Sequence, residues 1–181
     1  MAGHSAGGVR PFLTKRAPVV SRIVIRYAAA ADVQRLVTDG VFSGVPAPGE
    51  TWPTRIAKWL SEQTAGRRVI LVAEGVNGLL GTVQLIFKFP PGYNDPEAAN
   101  GMDIGMIESL RTRPDAPAPV TNQLIADVQA IAKKKHITTL TFCIPMNSER
   151  SIAQVKSWGF QEFRIMPEPT KMLAFFRKSV E

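Results

Sequence analysis

The chain has little of what most often advertises a chemistry. One cysteine, Cys143, and two histidines, His4 and His136, are spread over 181 residues. No disulfide can close within the chain, and no Cys and His ligands stand at metal-binding spacing. A P-loop pattern is absent as well. A lone cysteine in an apolar strand reads as a small buried hydrophobe, since no histidine stands near it in sequence. The longest apolar runs, such as residues 69–73 and 83–87, fall far short of the roughly 18–20 residues of a membrane span. Residues 1–20 are rich in glycine, alanine and basic side chains but lack the continuous apolar stretch of a secretory signal. The expectation is a chain without bound metal, off the membrane, in a reducing cytoplasm.

What is present is a core-forming composition with an excess of positive charge. Hydrophobic residues make up 45% of the chain, enough for one domain at this length. The formal charge is +7, from 22 basic and 15 acidic residues. Such an excess suits an anionic partner, whether a nucleotide phosphate, a nucleic acid or an acidic protein surface. Arg10, Lys15 and Arg16 lie in the first segment, so residues 1–21 are expected to form a flexible basic leader and residues 22–181 the domain. Lys133, Lys134 and Lys135 resemble a small nucleic-acid patch, but lysines closing a helix complement its dipole and form a solvated face. Nucleic acid is therefore not expected as the main partner.

The hydrophobic period changes along the chain. Residues 23–27 are β-branched and read as a first strand. Asp32 stands where it can cap a helix carrying Val33, Leu36, Val37 and Val41, which Gly40 and Gly44 end. A Pro-Gly linker follows at residues 43–49, and Thr51 with Pro53 opens a second helix with Ile56, Trp59 and Leu60 inward. Residues 69–73 and 79–89 read as strands joined by a hairpin in which Asn77 and Gly78 accept positive φ. A loop at residues 89–96 precedes a third strand, residues 103–112. Val120, Leu124, Val128 and Ile131 mark a long helix. Then come a strand at 138–144, a helix at 148–157, and closing strands at 162–165 and 172–177.

The stretch from Leu140 to Phe160 places an apolar strand, Asn147, a short helix and the Gly159-Phe160 pair in immediate succession. This block resembles the last conserved block of the GNAT family of acyl-CoA-dependent N-acetyltransferases, and the element order around it matches the family over roughly residues 22–178. The resemblance implies an α/β fold, GNAT-like, with a mixed central sheet of about six to seven strands flanked by helices. It also implies acetyl-CoA as cofactor and an amine as acceptor. Leu110 and Pro114 match the Leu and Pro that close the family strand before the long helix, so the backbone of Leu110, Arg111 and Thr112 is expected to bind the pantetheine arm.

Two parts of the family pattern are altered. The signature Arg or Gln-x-x-Gly-x-Gly or Ala falls on residues 116–121, where Ala116, Pro119 and Thr121 replace the Arg and both glycines. Each proline removes an N–H from a pyrophosphate cradle built of donors. Thr121 and Asn122 near the helix start are the remaining polar groups there, and Arg111 and Arg113 are candidate replacements for the missing cation. The family tyrosine thought to protonate the leaving thiolate falls on Val155. The family asparagine falls on Asn147, or on Ser148 without an insertion, and either can instead cap the helix.

Glu108 is the candidate general base, because family members often carry a glutamate on this strand and its apolar neighbours would raise its pKa. The other reading of Glu108 is an ion pair with Arg111 or with a cation on another strand. Trp52 is a candidate for lining an acceptor pocket. The functional expectation is transfer of an acetyl group from acetyl-CoA to an amine, with Glu108 catalytic and Leu110, Arg111, Thr112, Thr121, Asn122 and Asn147 at the cofactor. The alternative is a GNAT-fold protein with a degenerate active site, acting as a structural or interaction subunit of a larger assembly such as a virion or a regulatory complex.

Overall fold

The structure is a computed structural model and describes residues 22–180; the basic leader expected over residues 1–21 lies outside them. The chain runs β1 (Val24–Tyr27), α1 (Asp32–Thr38), α2 (Trp52–Thr64), β2 (Arg68–Gly75), β3 (Gly78–Ile86), β4 (Ile104–Thr112), α3 (Pro119–Lys134), β5 (Thr139–Pro145), α4 (Glu149–Ser157), β6 (Gln161–Pro167) and β7 (Met172–Ser179). The seven strands form one sheet in the order β1-β2-β3-β4-β5-β7-β6. Neighbours are antiparallel except β4 and β5, which run parallel. The element order is the one expected from the sequence.

The continuous apolar run of β2 makes it a strand covered on both faces. Val69, Leu71 and Ala73 pack into the core beneath α3, whereas Ile70 and Val72 pack beneath α1 and α2. Helix α3 supplies Val120, Leu124, Val128 and Ala132 at a spacing of one turn, all buried. Val120, Leu124 and Val128 each contribute about 1.5–3 kcal/mol on burial. On the other face, Thr51 caps α2 by accepting the Thr54 N–H at 3.3 Å, with Pro53 in the first turn.

Three local readings change. Asp32 is the first residue of α1 rather than its cap, and the helix stops at Thr38, so Val41 is buried from the segment after it. The φ-positive residue of the β2–β3 turn is Gly78 alone, not Asn77. A Cβ on Gly78 would stand 2.7 Å from Asp39 Oδ2, the atom that accepts the Leu79 N–H. His136 also has a positive φ, of 59°, and ends α3 as a turn residue.

Asp32 serves instead as an anchor between the first strand and the first helix. Arg26 donates Nη1 and Nη2 to its two carboxylate oxygens at 2.7 and 2.9 Å, and the Ala29 N–H donates to Oδ2 at 2.8 Å. These bonds, the Arg26 pair first, hold the buried Asp32 carboxyl below the usual range. A depressed folded pKa means stability that is present above the unfolded value of about 4 and lost as pH falls through the folded one. Asp32→Asn is expected to lower stability at pH 7 by about 1.5–3 kcal/mol, with the gap to wild type closing on acidification. Urea denaturation of both proteins across pH measures it.

Candidate active site

The site originates in two departures from regular pairing on β4. Parallel pairing of β4 with β5 ends at Ile107 opposite Phe142, although β4 continues to Thr112 and β5 to Pro145. Beyond that point the strands part, and the β5-facing backbone groups of β4 are left without their ladder partners. On its other edge β4 carries a bulge: Thr82 pairs with Arg111 and Gln84 with Glu108, so one residue of β3 faces two of β4. Ser109 adopts φ of 51° to make it. In a regular strand positions 108 and 111 point to opposite faces. The extra residue resets the alternation, so Glu108 and Arg111 both face the α2 side while Leu110 packs with the core under α3.

The gap between the strands opens to both faces of the sheet. On the α3 and α4 side lies a cleft of about 490 Å³, walled by residues 107–112 of β4, by Phe142 and Cys143 of β5, and by Thr121 and Val155 of the helices. On the α2 side lies a cavity of about 690 Å³, lined by Trp52, Arg68, Tyr93 and Met106 among others. Glu108, Ser109, Arg111, Cys143 and Pro145 belong to both, so the two spaces meet at the parting of the strands. Burial pushes the Cys143 thiol up to about 11. It is therefore protonated at neutral pH and no nucleophile.

Glu108 keeps 42% of its side chain exposed, toward the cavity. Being recessed, it is still desolvated by the walls around it, and that burial raises its pKa. Arg68 Nη1, at 3.6 Å from Glu108 Oε2, opposes the rise, and Glu62 adds to it. Arg68 and Glu62 are themselves buried and form an ion pair with each other. Arg68 Nη1 also donates to Gln84 Oε1 at 2.5 Å. The candidate base thus ends a buried relay of Glu62, Arg68 and Glu108. Sequence reasoning did not find Glu62 or Arg68 as site residues. The available signal was Glu62 three positions after Trp59, a carboxylate on the apolar face of α2 that needs a buried cation.

No protein-family model and no curated protein sequence matches this chain. Solved structures do. A ribosomal-protein-alanine N-acetyltransferase from Brucella melitensis matches with TM-score 0.68 at 19% identity, over 86% of this chain and 99% of that one. An N-acetyltransferase from Staphylococcus aureus matches with TM-score 0.67 at 20% identity, over 89% and 100%. The chain has the GNAT acetyltransferase fold. A GNAT superfamily phosphinothricin acetyltransferase from Sinorhizobium meliloti, solved in complex with acetyl-CoA, matches with TM-score 0.65 at 18% identity, over 87% and 88%.

On this GNAT scaffold the residues expected at a cofactor do not all converge. Leu110, Arg111, Thr112 and Thr121 line the α3-side cleft. Asn122 accepts the Trp158 Nε1 proton at 3.0 Å and faces an adjoining groove instead. Asn147 is exposed before α4, outside the cleft lining, and neither it nor Ser148 caps that helix through its side chain. The Arg111 guanidinium lies over the rings of Phe42 and Trp52, on the face away from α3. Arg113 is bonded to Asp115 at 2.5 Å and to the Asn77 carbonyl at 3.3 Å. The cations suggested for the phosphate loop are therefore turned away from it or neutralised.

The loop nevertheless retains donors. Pro114, Pro117 and Pro119 have no N–H, and those of Arg113, Ala116 and Val120 are spent on Leu80, Arg113 and Pro117. The N–H groups of Asp115, Ala118 and Thr121 have no protein acceptor among the described residues. The slot between the parted strands thus keeps an unpaired strand edge, and the start of α3 keeps a reduced set of N–H donors together with its dipole.

The raised pKa of Glu108 has a consequence for stability. Folding favours its protonated form, so the associated stability is full below the ordinary glutamate pKa of about 4.3 and is lost as pH rises through the folded value. Glu108→Gln never ionises and is expected to raise the urea midpoint above that of wild type at pH 8, with the difference vanishing toward pH 4. A lower midpoint at pH 8 would mean that the Arg68 contact outweighs desolvation.

Proposed function

We propose that the protein is an N-acetyltransferase that moves an acetyl group from acetyl-CoA to an amine. The observation that carries this reading is Glu108 standing where the α2-side cavity and the α3-side cleft meet, at the parting of β4 and β5. The GNAT fold, and the presence of acetyl-CoA in one structure that shares it, support the same reading.

Acetyl-CoA, when bound, supplies the acyl group as an activated thioester. Leu110 and Thr112 offer backbone groups on the edge that β5 leaves unpaired, which hold the extended arm as a sheet edge holds a strand, while the backbone of Arg111 faces β3. Thr121 and the free N–H groups at the start of α3 face the phosphates. The acceptor enters from the α2 side as an ammonium ion and must lose a proton before its nitrogen can attack. Glu108, deprotonated above its raised pKa and steadied by Arg68, takes that proton. The amide bond then forms as the carbon–sulfur bond breaks. Val155 is apolar and buried and donates no proton, so water carries the second proton released by the attacking nitrogen to the leaving thiolate.

Two measurements test the reading. Acetyl-CoA at a hundredfold excess over Kd is expected to stabilise the protein by about 2.7 kcal/mol, seen as a rise in melting temperature. A flat melting temperature at millimolar ligand opposes the reading and leaves the structural-subunit role. In single-turnover transfer to a panel of amines, Glu108→Gln is expected to be slower by about 10² to 10⁴-fold while retaining the acetyl-CoA shift. Equal rates would remove Glu108 from the mechanism.

A further inference from the structure

The cations facing the α2-side cavity are matched by carboxylates, with two exceptions. Arg55 is paired with Glu50 at 2.5 Å, Lys171 with Glu168 at 3.6 Å, and Arg68 with Glu62 and Glu108. Lys58 and Arg111 line the same cavity, and among the described residues neither forms an ion pair. Five cations thus face four carboxylates, which leaves one positive charge in a recess that focuses it.

Of the two, Arg111 is held in place. Its guanidinium carbon stands 5.0 Å from the Trp52 ring centroid and 5.1 Å from that of Phe42. Both rings are buried, and Trp52 is fixed by its Nε1 donating to the Ser43 carbonyl at 2.9 Å. Arg111 remains exposed to the cavity, and the walls around it lower its pKa without any carboxylate acting against the shift. Among the described residues no protein oxygen accepts a hydrogen bond from this guanidinium beside the two rings, so its N–H donors are free. A free planar fork of donors is what a carboxylate pairs with in bidentate fashion.

The β4 bulge puts this fork on the same face as Glu108. At about 3.3 Å per strand residue the two backbone positions are at most about 10 Å apart, a span that one small molecule covers.

We propose that the acceptor is a small aminocarboxylate, with its carboxylate on the Arg111 guanidinium beside Trp52 and Phe42 and its amine at Glu108. This rests on the acyl-transfer reading above and names its substrate class. The probes are α-amino and ω-amino acids of two to six carbons, each paired with its own carboxamide. Binding is measured by isothermal titration with and without coenzyme A, and acetyl transfer is measured separately. Arg111→Met keeps an apolar stem against the rings and removes the charge; Arg111→Lys keeps the charge and removes the fork. Urea midpoints confirm that both variants fold.

At least one acid is expected to bind wild type about ten- to a hundredfold more tightly than its carboxamide. That ratio should fall to about one in Arg111→Met and to an intermediate value in Arg111→Lys. Equal binding of every acid and its carboxamide by wild type, or an acid preference that survives Arg111→Met, overturns the proposal. Acids that bind through Arg111 but are never acetylated would overturn the acyl-transfer reading and leave the anion subsite standing. Acetylation of amines without preference for acids would overturn the subsite alone.

Discussion

The structure depends on one interrupted ladder. A parallel strand pair normally satisfies every backbone group between its members, and an unpaired buried group is costly. Here β4 and β5 pair only as far as Ile107 and Phe142. The cost of leaving the rest open is tolerable because each strand retains its other partner, β3 for β4 and β7 for β5. The opening is thus held rigid by antiparallel sheet on both flanks. It provides a polar-edged slot through an otherwise apolar layer, and both cavities of the molecule's centre are its two mouths.

The bulge at Ser109 turns that slot into a site with direction. Without it, β4 would present Glu108 to one mouth and Arg111 to the other. With it, a carboxylate and a guanidinium share the α2-side mouth, and the apolar Leu110 remains with the core. Strain in the left-handed region at a non-glycine residue is repaid by the surrounding pairings, as is common where a strand re-aims side chains. The ionic relay from Glu62 through Arg68 then gives the Glu108 carboxylate a cation against desolvation, so that it can ionise and still bind a proton readily.

Much of this was legible in the sequence. Period-two and period-four apolar spacing marked the strands and helices, and the Leu140–Phe160 block with its flanking order pointed to the GNAT arrangement. Glu108 was singled out because the family resemblance puts a glutamate on this strand, and its apolar neighbours Met106, Ile107 and Leu110 would raise its pKa. The helix caps were less legible. Asp32 and Asn147 are good capping types, yet Asn147 is left exposed and Asp32 is claimed by the half-buried Arg26, because a carboxylate gains more from a two-point ion pair than from one N–H.

What the sequence determined by itself was whatever depends on neighbours along the chain: element order, the apolar faces, the proline-depleted donors of the loop before α3, and the presence of a lone carboxylate on β4. What only the tertiary structure decided was direction and partnership. Arg111 and Arg113 are two residues apart and read alike as loop cations, yet one lies over Trp52 and Phe42 and the other is neutralised by Asp115. Arg68 and Glu108 are far apart in the chain and meet at 3.6 Å. A one-residue bulge inverts the facing of every side chain after it, and whether a strand takes one depends on the pairing register with its neighbours rather than on its own residues.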